Sequence, residues 1–194
     1  MDRDICAPTN SKTMKKVLLV AFGIFYMSQI NAQANQGAET WTIAGNDNFN
    51  LSFPSTWKYD DSGDMGALFT LTSPFTDEED SYNDYIQLSV LPVPGLNMTL
   101  DKHIESTVKD IPFFYKKADI KENRRDKKAG HDCHILSYSG EMNDFPLAHL
   151  QYIWLQNDKI YTLSFVGQPA DFEKLKTVSS RIMDSFAFQP LLKK

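Results

Sequence analysis

His131-Asp132-Cys133-His134 puts two imidazoles and a thiol within four residues, the donor types that zinc and copper take. A metal site needs those donors aimed at one point. On an extended strand alternate side chains face opposite ways, so His131 and Cys133 point to one side while Asp132 and His134 point to the other. His149 is the natural extra ligand. Pairing through a turn at Asn143-Asp144 sets His134 opposite Ile153, about 14 Å along the strand from His149. The donors do not converge. The expectation is no metal and no cofactor, with Cys133 a buried thiol.

Nucleophilic catalysis fares no better. Ser164 and His149 fall on one sheet face, yet no G-x-S-x-G elbow surrounds the serine and nothing marks an oxyanion hole. No carboxylate pair of the kind glycosidases use is singled out. The expectation is a protein that is not an enzyme.

Charge is concentrated in two blocks. Asp60–Asp84 holds eight carboxylates and no lysine or arginine, densest at Asp77-Glu78-Glu79-Asp80. A calcium loop wants oxygen ligands at alternating positions around a glycine bend. Asp60-Asp61-Ser62-Gly63-Asp64 fits that poorly, so the block reads as a solvated acidic loop. Lys116–Lys128 is the reverse, with seven basic residues against three acidic ones. Such a patch suits an anionic membrane surface, a lipid headgroup or an acidic partner. Lys121, Arg124, Arg125, Lys127 and Lys128 are the expected partner contacts. No aromatic side chains interleave with them, and nucleic acid is not an expected partner.

The whole chain sets the frame. Its 194 residues are 42% hydrophobic and 23% charged, with formal net charge −5, values that suit one globular domain of about 150 residues. The first 34 residues hold four basic and two acidic residues, which leaves 16 basic against 23 acidic residues, net −7. That balance also opposes sequence-independent nucleic-acid binding. Met14-Lys15-Lys16, the apolar run Val17–Met27 and Ala32-Gln33-Ala34 form the three parts of a secretory signal peptide, the apolar part being short for a membrane span. Residues 1–34 are therefore read as an N-terminal extension plus signal peptide (Met14–Ala34), 35–40 as a leader, 41–188 as one domain and 189–194 as a tail. Cys6 precedes the apolar run, so no lipid-attachment cysteine follows it. Cys133 is then the single cysteine of the mature chain, and no internal disulfide can form. A periplasmic or secreted protein is expected, with no integral membrane span after cleavage.

The elements that position the candidate groups follow from periodicity. Phe49, Leu51 and Phe53 alternate as in a half-buried strand, as do Ala67–Leu71 and Tyr85–Leu91. Leu100, Ile104, Val108 and Ile111 make one helical stripe, with Thr99 as N-cap and Pro112 at or near the helix end. Extended segments are expected at Ala118–Asn123 and Asp132–Tyr138. The strongest hairpin is Leu147–Gln156 with Lys159–Val166 about Asn157-Asp158. A last helix starts at Pro169 with the stripe Phe172, Leu175, Val178 and Ile182, and a strand at Ser185–Phe188 closes the domain. In the hairpin Leu150, Tyr152 and Trp154 share an apolar face with Tyr161, Leu163 and Phe165. The opposite face carries His149, Gln151, Ile153 and Leu155 against Ile160, Thr162, Ser164 and Val166. It is half polar and expected to be only partly covered, which makes it a candidate ligand face.

Several segments together resemble the PsbP-like family. Phe49–Lys58 has the pattern F-x-L-x-F-P-x-x-W-K, Ser73-Pro74 follows, and then comes the strand Tyr85–Gly95 (YIQLSVLPVPG). The helix from Leu100, the Y-x-L-x-F strand Tyr161–Phe165 and the closing helix with Asp184-Ser185-Phe186 complete the order. The resemblance spans about Trp41–Phe188. It implies an α+β fold, an α/β/α sandwich with a central antiparallel β-sheet flanked by helices. It also implies a non-catalytic accessory protein that docks a protein or envelope partner, since the relatives share no catalytic motif. The alternative is a small-molecule or metal-ion carrier using the half-polar sheet face or the acidic loop.

Overall fold

The computed structural model describes residues 39–75 and 82–189. The signal-peptide segment, Asp77–Asp80 of the acidic block and the tail beyond Gln189 lie outside them. Ten strands and two α-helices follow one another in the unit that begins at Thr40. They are β1 (Trp41–Gly45), β2 (Phe49–Pro54), β3 (Lys58–Asp60), β4 (Ala67–Thr72) and β5 (Tyr85–Pro92). Helix α1 (Leu100–Phe114) comes next, then β6 (Lys116–Lys128), β7 (His131–Met142), β8 (Phe145–Gln156) and β9 (Lys159–Gly167). Helix α2 (Pro169–Asp184) and β10 (Ala187–Phe188) close the order.

Three two-residue turns build the larger sheet. Ala129-Gly130, Asn143-Asp144 and Asn157-Asp158 all have positive φ at both positions, the geometry that keeps hairpin twist right-handed. They fold β6 to β9 into a continuous meander, and the full order is β3-β4-β5-β9-β8-β7-β6, antiparallel throughout. Register follows the pleat: Leu150 faces Phe165, Tyr152 faces Leu163 and Trp154 faces Tyr161. His134 faces Ile153, as the Asn143-Asp144 turn requires.

Both faces of this sheet are cores, each covered differently. Leu150, Tyr152, Trp154, Leu163 and Phe165 pack with Phe172, Ile182 and Met183 of α2 and with Phe49, Leu51 and Phe53 of β2. On the other face Leu136, Tyr138, Ile153 and Ile160 pack with Leu100, Ile104 and Ile111 of α1. The α+β class is therefore plain. The layer on the α2 side is not purely helical, because β1, β2 and β10 form a separate three-stranded sheet there.

Local chemistry ends the elements where they end. Thr99 Oγ1 accepts the Lys102 N–H at 3.2 Å, satisfying one orphan donor at the start of α1. Pro112 sits in the last turn, two residues before the helix ends, and Tyr115 N–H still reaches the Ile111 carbonyl at 2.9 Å. The closing strand is shorter than the Ser185–Phe188 expected. Ser185 is spent on ending α2: its Oγ donates to the Ile182 carbonyl at 2.6 Å and accepts the Ser52 N–H at 2.9 Å. Among the described residues no helix is long and apolar enough to cross a membrane.

Candidate functional site

Coverage of the α2 face is incomplete, and the gap defines the site. In the small sheet Phe49 of β2 packs on Phe69 of β4, and Phe188 of β10 packs on Trp154 and Tyr161, while α2 lies over β9 and β8. Strands β7 and β6 run on past the helix. What remains between α2 and β6 is a cleft of about 360 Å³, lined by Lys121, Glu122, Arg124 and Lys128 of β6, Ile135 and Ser137 of β7, Leu150 and Tyr152 of β8, and Phe172, Lys176 and Ser180 of α2. A second hollow of about 310 Å³ shares Lys121, Ser137, Phe172 and Lys176, and extends it towards Ala148 and Pro169. Together they form one groove. Its floor is Ile135, Leu150 and Phe172; its rim is mostly cationic.

The pleat explains which cations reach it. Arg124, opposite Ile135, and Glu122, opposite Ser137, project to the cleft side. Lys128 does too, and Lys121 sits at an irregularity of register. Arg125 and Lys127 project to the other face. Arg125 there pairs with Asp101 in the first turn of α1, and Lys127 lies 4.0 Å from Asp132. The five basic residues expected to act together are thus split between two faces. Most also have local partners. Lys121 pairs with Asp119, and Arg124 bridges Glu122 and Asp126, all exposed or half-exposed. Such surface pairs stabilise by only about 0–1 kcal/mol each and exchange readily for another anion.

Lys128 has a different task. Its Nζ is 2.6 Å from Asp184 Oδ1, which also accepts the Tyr152 hydroxyl at 3.0 Å, and it lies 4.8 Å from the centre of the Tyr152 ring. Burial works against its charge, but Asp184 and Tyr152 together more than compensate and Lys128 is held above its usual range. Burial, reinforced by Asp184, pushes the Tyr152 phenol up to about 12. This trio ties β6, β8 and α2 together and closes one end of the cleft.

The other chemically able groups are used in packing. Burial pushes the Cys133 thiol up to about 12, which leaves it neither nucleophile nor ready ligand near pH 7. His134 Nε2 is 2.6 Å from Asn123 Oδ1, and His131 stands edge-on to Phe188. No group of three or more His, Cys, Asp or Glu able to hold a metal occurs among the described residues. Asp60 Oδ1 accepts the Ser62 N–H at 2.8 Å, turning into its own loop.

The expected ligand face is more closed than its hairpin pattern suggested. His149 and Ser164 are buried, and Gln151 and Thr162 are half-buried. Leu136 and Tyr138 of β7 make that side apolar enough to seat α1. His149 stacks on Tyr138 with ring centres 4.5 Å apart and meets the edge of Tyr115. Neither of its ring nitrogens has a hydrogen-bond partner. Ser164 Oγ accepts from Gln151 Nε2 at 3.3 Å and not from His149. A nucleophile–base pair is not assembled.

Sequence reasoning missed the α2 side of the cleft. Phe172, Lys176 and Ser180 are spaced by four and so line one helical face, which starts from the core residue Phe172 and leaves the core stripe at Lys176 and Ser180. That spacing was visible in the sequence; its partner strand was not.

No protein-family model and no curated protein matches the sequence. Solved structures do. Cyanobacterial PsbP (CyanoP) from Synechocystis sp. PCC 6803 superposes with TM-score 0.55 at 14% identity, over 80% of this chain and 96% of that one. A protein of unknown function from Pseudomonas aeruginosa gives 0.56 at 11% identity, over 77% and 98%. LpqN, involved in cell envelope biogenesis of Mycobacterium tuberculosis, gives 0.53 at 14% identity, over 80% and 88%. On these superpositions the chain has the PsbP-like fold.

Proposed function

We propose that this chain is a non-catalytic, extracytoplasmic accessory protein that docks a partner of the cell envelope in the cleft between α2 and β6. The observation that carries the reading is the cleft itself. Four cations, Lys121, Arg124, Lys128 and Lys176, line it around an apolar floor, each beside a carboxylate: Asp119, the Glu122–Asp126 pair, Asp184 and Glu173. The exposed pairs of Lys121 and Arg124 can exchange their local carboxylates for an anionic group of a partner. The non-catalytic part is supported by the use of Cys133, His134, His149 and Ser164 in packing. The envelope part is supported by the signal-peptide pattern and by the involvement of LpqN in cell envelope biogenesis.

The test separates the two faces of β6. In-cell crosslinking and pull-down of tagged protein should give one salt-sensitive partner. The double charge reversal Lys121→Glu with Arg124→Glu should lower its recovery at least ten-fold with unchanged thermal unfolding, while Arg125→Glu on the opposite face leaves recovery intact. Equal loss in both variants, or loss in neither, contradicts docking at the cleft.

A further inference from the structure

We propose that the occupant of the cleft is a single-chain anionic amphiphile, its carboxylate or phosphate head held by Arg124 and Lys121 and its apolar chain lying on Ile135, Leu150 and Phe172. The inference rests on the cleft being the docking site. Size narrows the choice first. A hollow of about 360 Å³ opening into one of about 310 Å³ is in the range of small-molecule sites.

The lining narrows it further. A free inorganic anion uses the cations and ignores the floor; a neutral lipid uses the floor and leaves the cations idle. Only a ligand with both ends matches both surfaces. Arg124 has donors to spare: Nε is engaged by Glu122 and Nη1 by Asp126. A guanidinium carries five N–H groups in a planar fork, and among the described residues its Nη2 hydrogens meet no acceptor. Its two carboxylate partners are neighbours in its own exposed strand, held by nothing deeper. A headgroup oxygen therefore adds to the ladder Glu122–Arg124–Asp126 without dismantling a buried pair. Ser137 of β7 and Ser180 of α2 supply hydroxyls to the same cleft.

Calorimetric titration of the purified protein tests this with four probes, the three amphiphiles each below its micelle concentration. Dodecyl phosphate or dodecanoate should bind saturably at one site per chain. Whichever binds tighter identifies the head, and either supports the inference. Dodecyl maltoside and inorganic phosphate should bind at least thirty-fold more weakly. Lys121→Glu with Arg124→Glu, both exposed, should weaken the anionic probe at least ten-fold with thermal unfolding unchanged. Maltoside binding as tightly as dodecyl phosphate would mean detergent adsorption. Inorganic phosphate binding as tightly would mean an anion site without use of the floor. Either result, or a double variant with full affinity, overturns the inference. If neither amphiphile binds while partner capture still depends on Lys121 and Arg124, the cleft reading stands and the ligand class falls. If both fail, both fall.

Discussion

Replacing His149 with Phe should flatten the acid limb of the stability curve between about pH 6.5 and 4. The imidazole is 5% exposed, stacked on Tyr138 and edge-on to Tyr115, with both nitrogens unbonded. Burial drives its pKa down to about 4. In the unfolded chain it returns to roughly 6.5. Within that window the unfolded state binds a proton and the folded state does not. Stability is therefore complete above the unfolded value and is lost as pH falls towards the folded one, by about 3 kcal/mol. Phenylalanine keeps the stacking and removes the proton. Urea unfolding at pH 7, 6, 5 and 4 should show the variant at least as stable at pH 7 and about 3 kcal/mol less sensitive to acid. Some slope will remain, because burial also lowers His134 and His103. An unchanged slope would mean that His149 titrates in the folded protein as freely as in the unfolded one.

Trp154→Ala should be the most damaging of the core truncations. The indole is 0% exposed. It stands edge-on to Tyr152 and Phe188, packs on Phe186, and donates through Nε1–H to the Lys128 carbonyl at 3.1 Å. It thereby joins β8 to β6 and to the chain leading into β10. Removing it forfeits transfer energy, opens a cavity and orphans a carbonyl, a loss of about 3–5 kcal/mol. Domains of this size are stable by roughly 5–15 kcal/mol, so a large share of the total goes. Phe113→Ala, at a residue 80% exposed on α1, is the control and should change stability by less than about 0.5 kcal/mol. A Trp154→Ala loss below about 1 kcal/mol would contradict the packing described.

Which parts of this were legible in the sequence follows from where apolar periodicity exists. The β8–β9 register could be read because Leu150, Tyr152 and Trp154 recur at every second position, as do Tyr161, Leu163 and Phe165, around a two-residue turn whose residues tolerate positive φ. Helix α1 could be read from its stripe and from Thr99. Strand β6 could not be read at its full length. KKADIKENRRDKK has no apolar alternation, because this is the last strand of the sheet and much of it faces solvent on both sides. Only Ala118–Asn123 looked extended. The same cause hid the division of the basic patch: without a strand running to Lys128, nothing assigns Arg124 and Arg125 to opposite faces. The cleft was hidden for another reason. Its walls, β6 and the Phe172–Lys176–Ser180 line, are about 50 residues apart, and the meander that joins them shows only in three dimensions. The half-polar face was read from two strands, whereas Leu136 and Tyr138 of a third decide that α1 covers it.

The most direct measurement places a photo-crosslinking residue at Lys176 on the wall of the cleft, and at Ile43 and Thr70 as distant surface controls, in cells expressing the protein. Docking in the cleft predicts an adduct from Lys176, abolished by the Lys121→Glu, Arg124→Glu background, and none from Ile43 or Thr70. Adducts from Ile43 or Thr70 with Lys176 silent would put the partner elsewhere on the molecule and contradict the account.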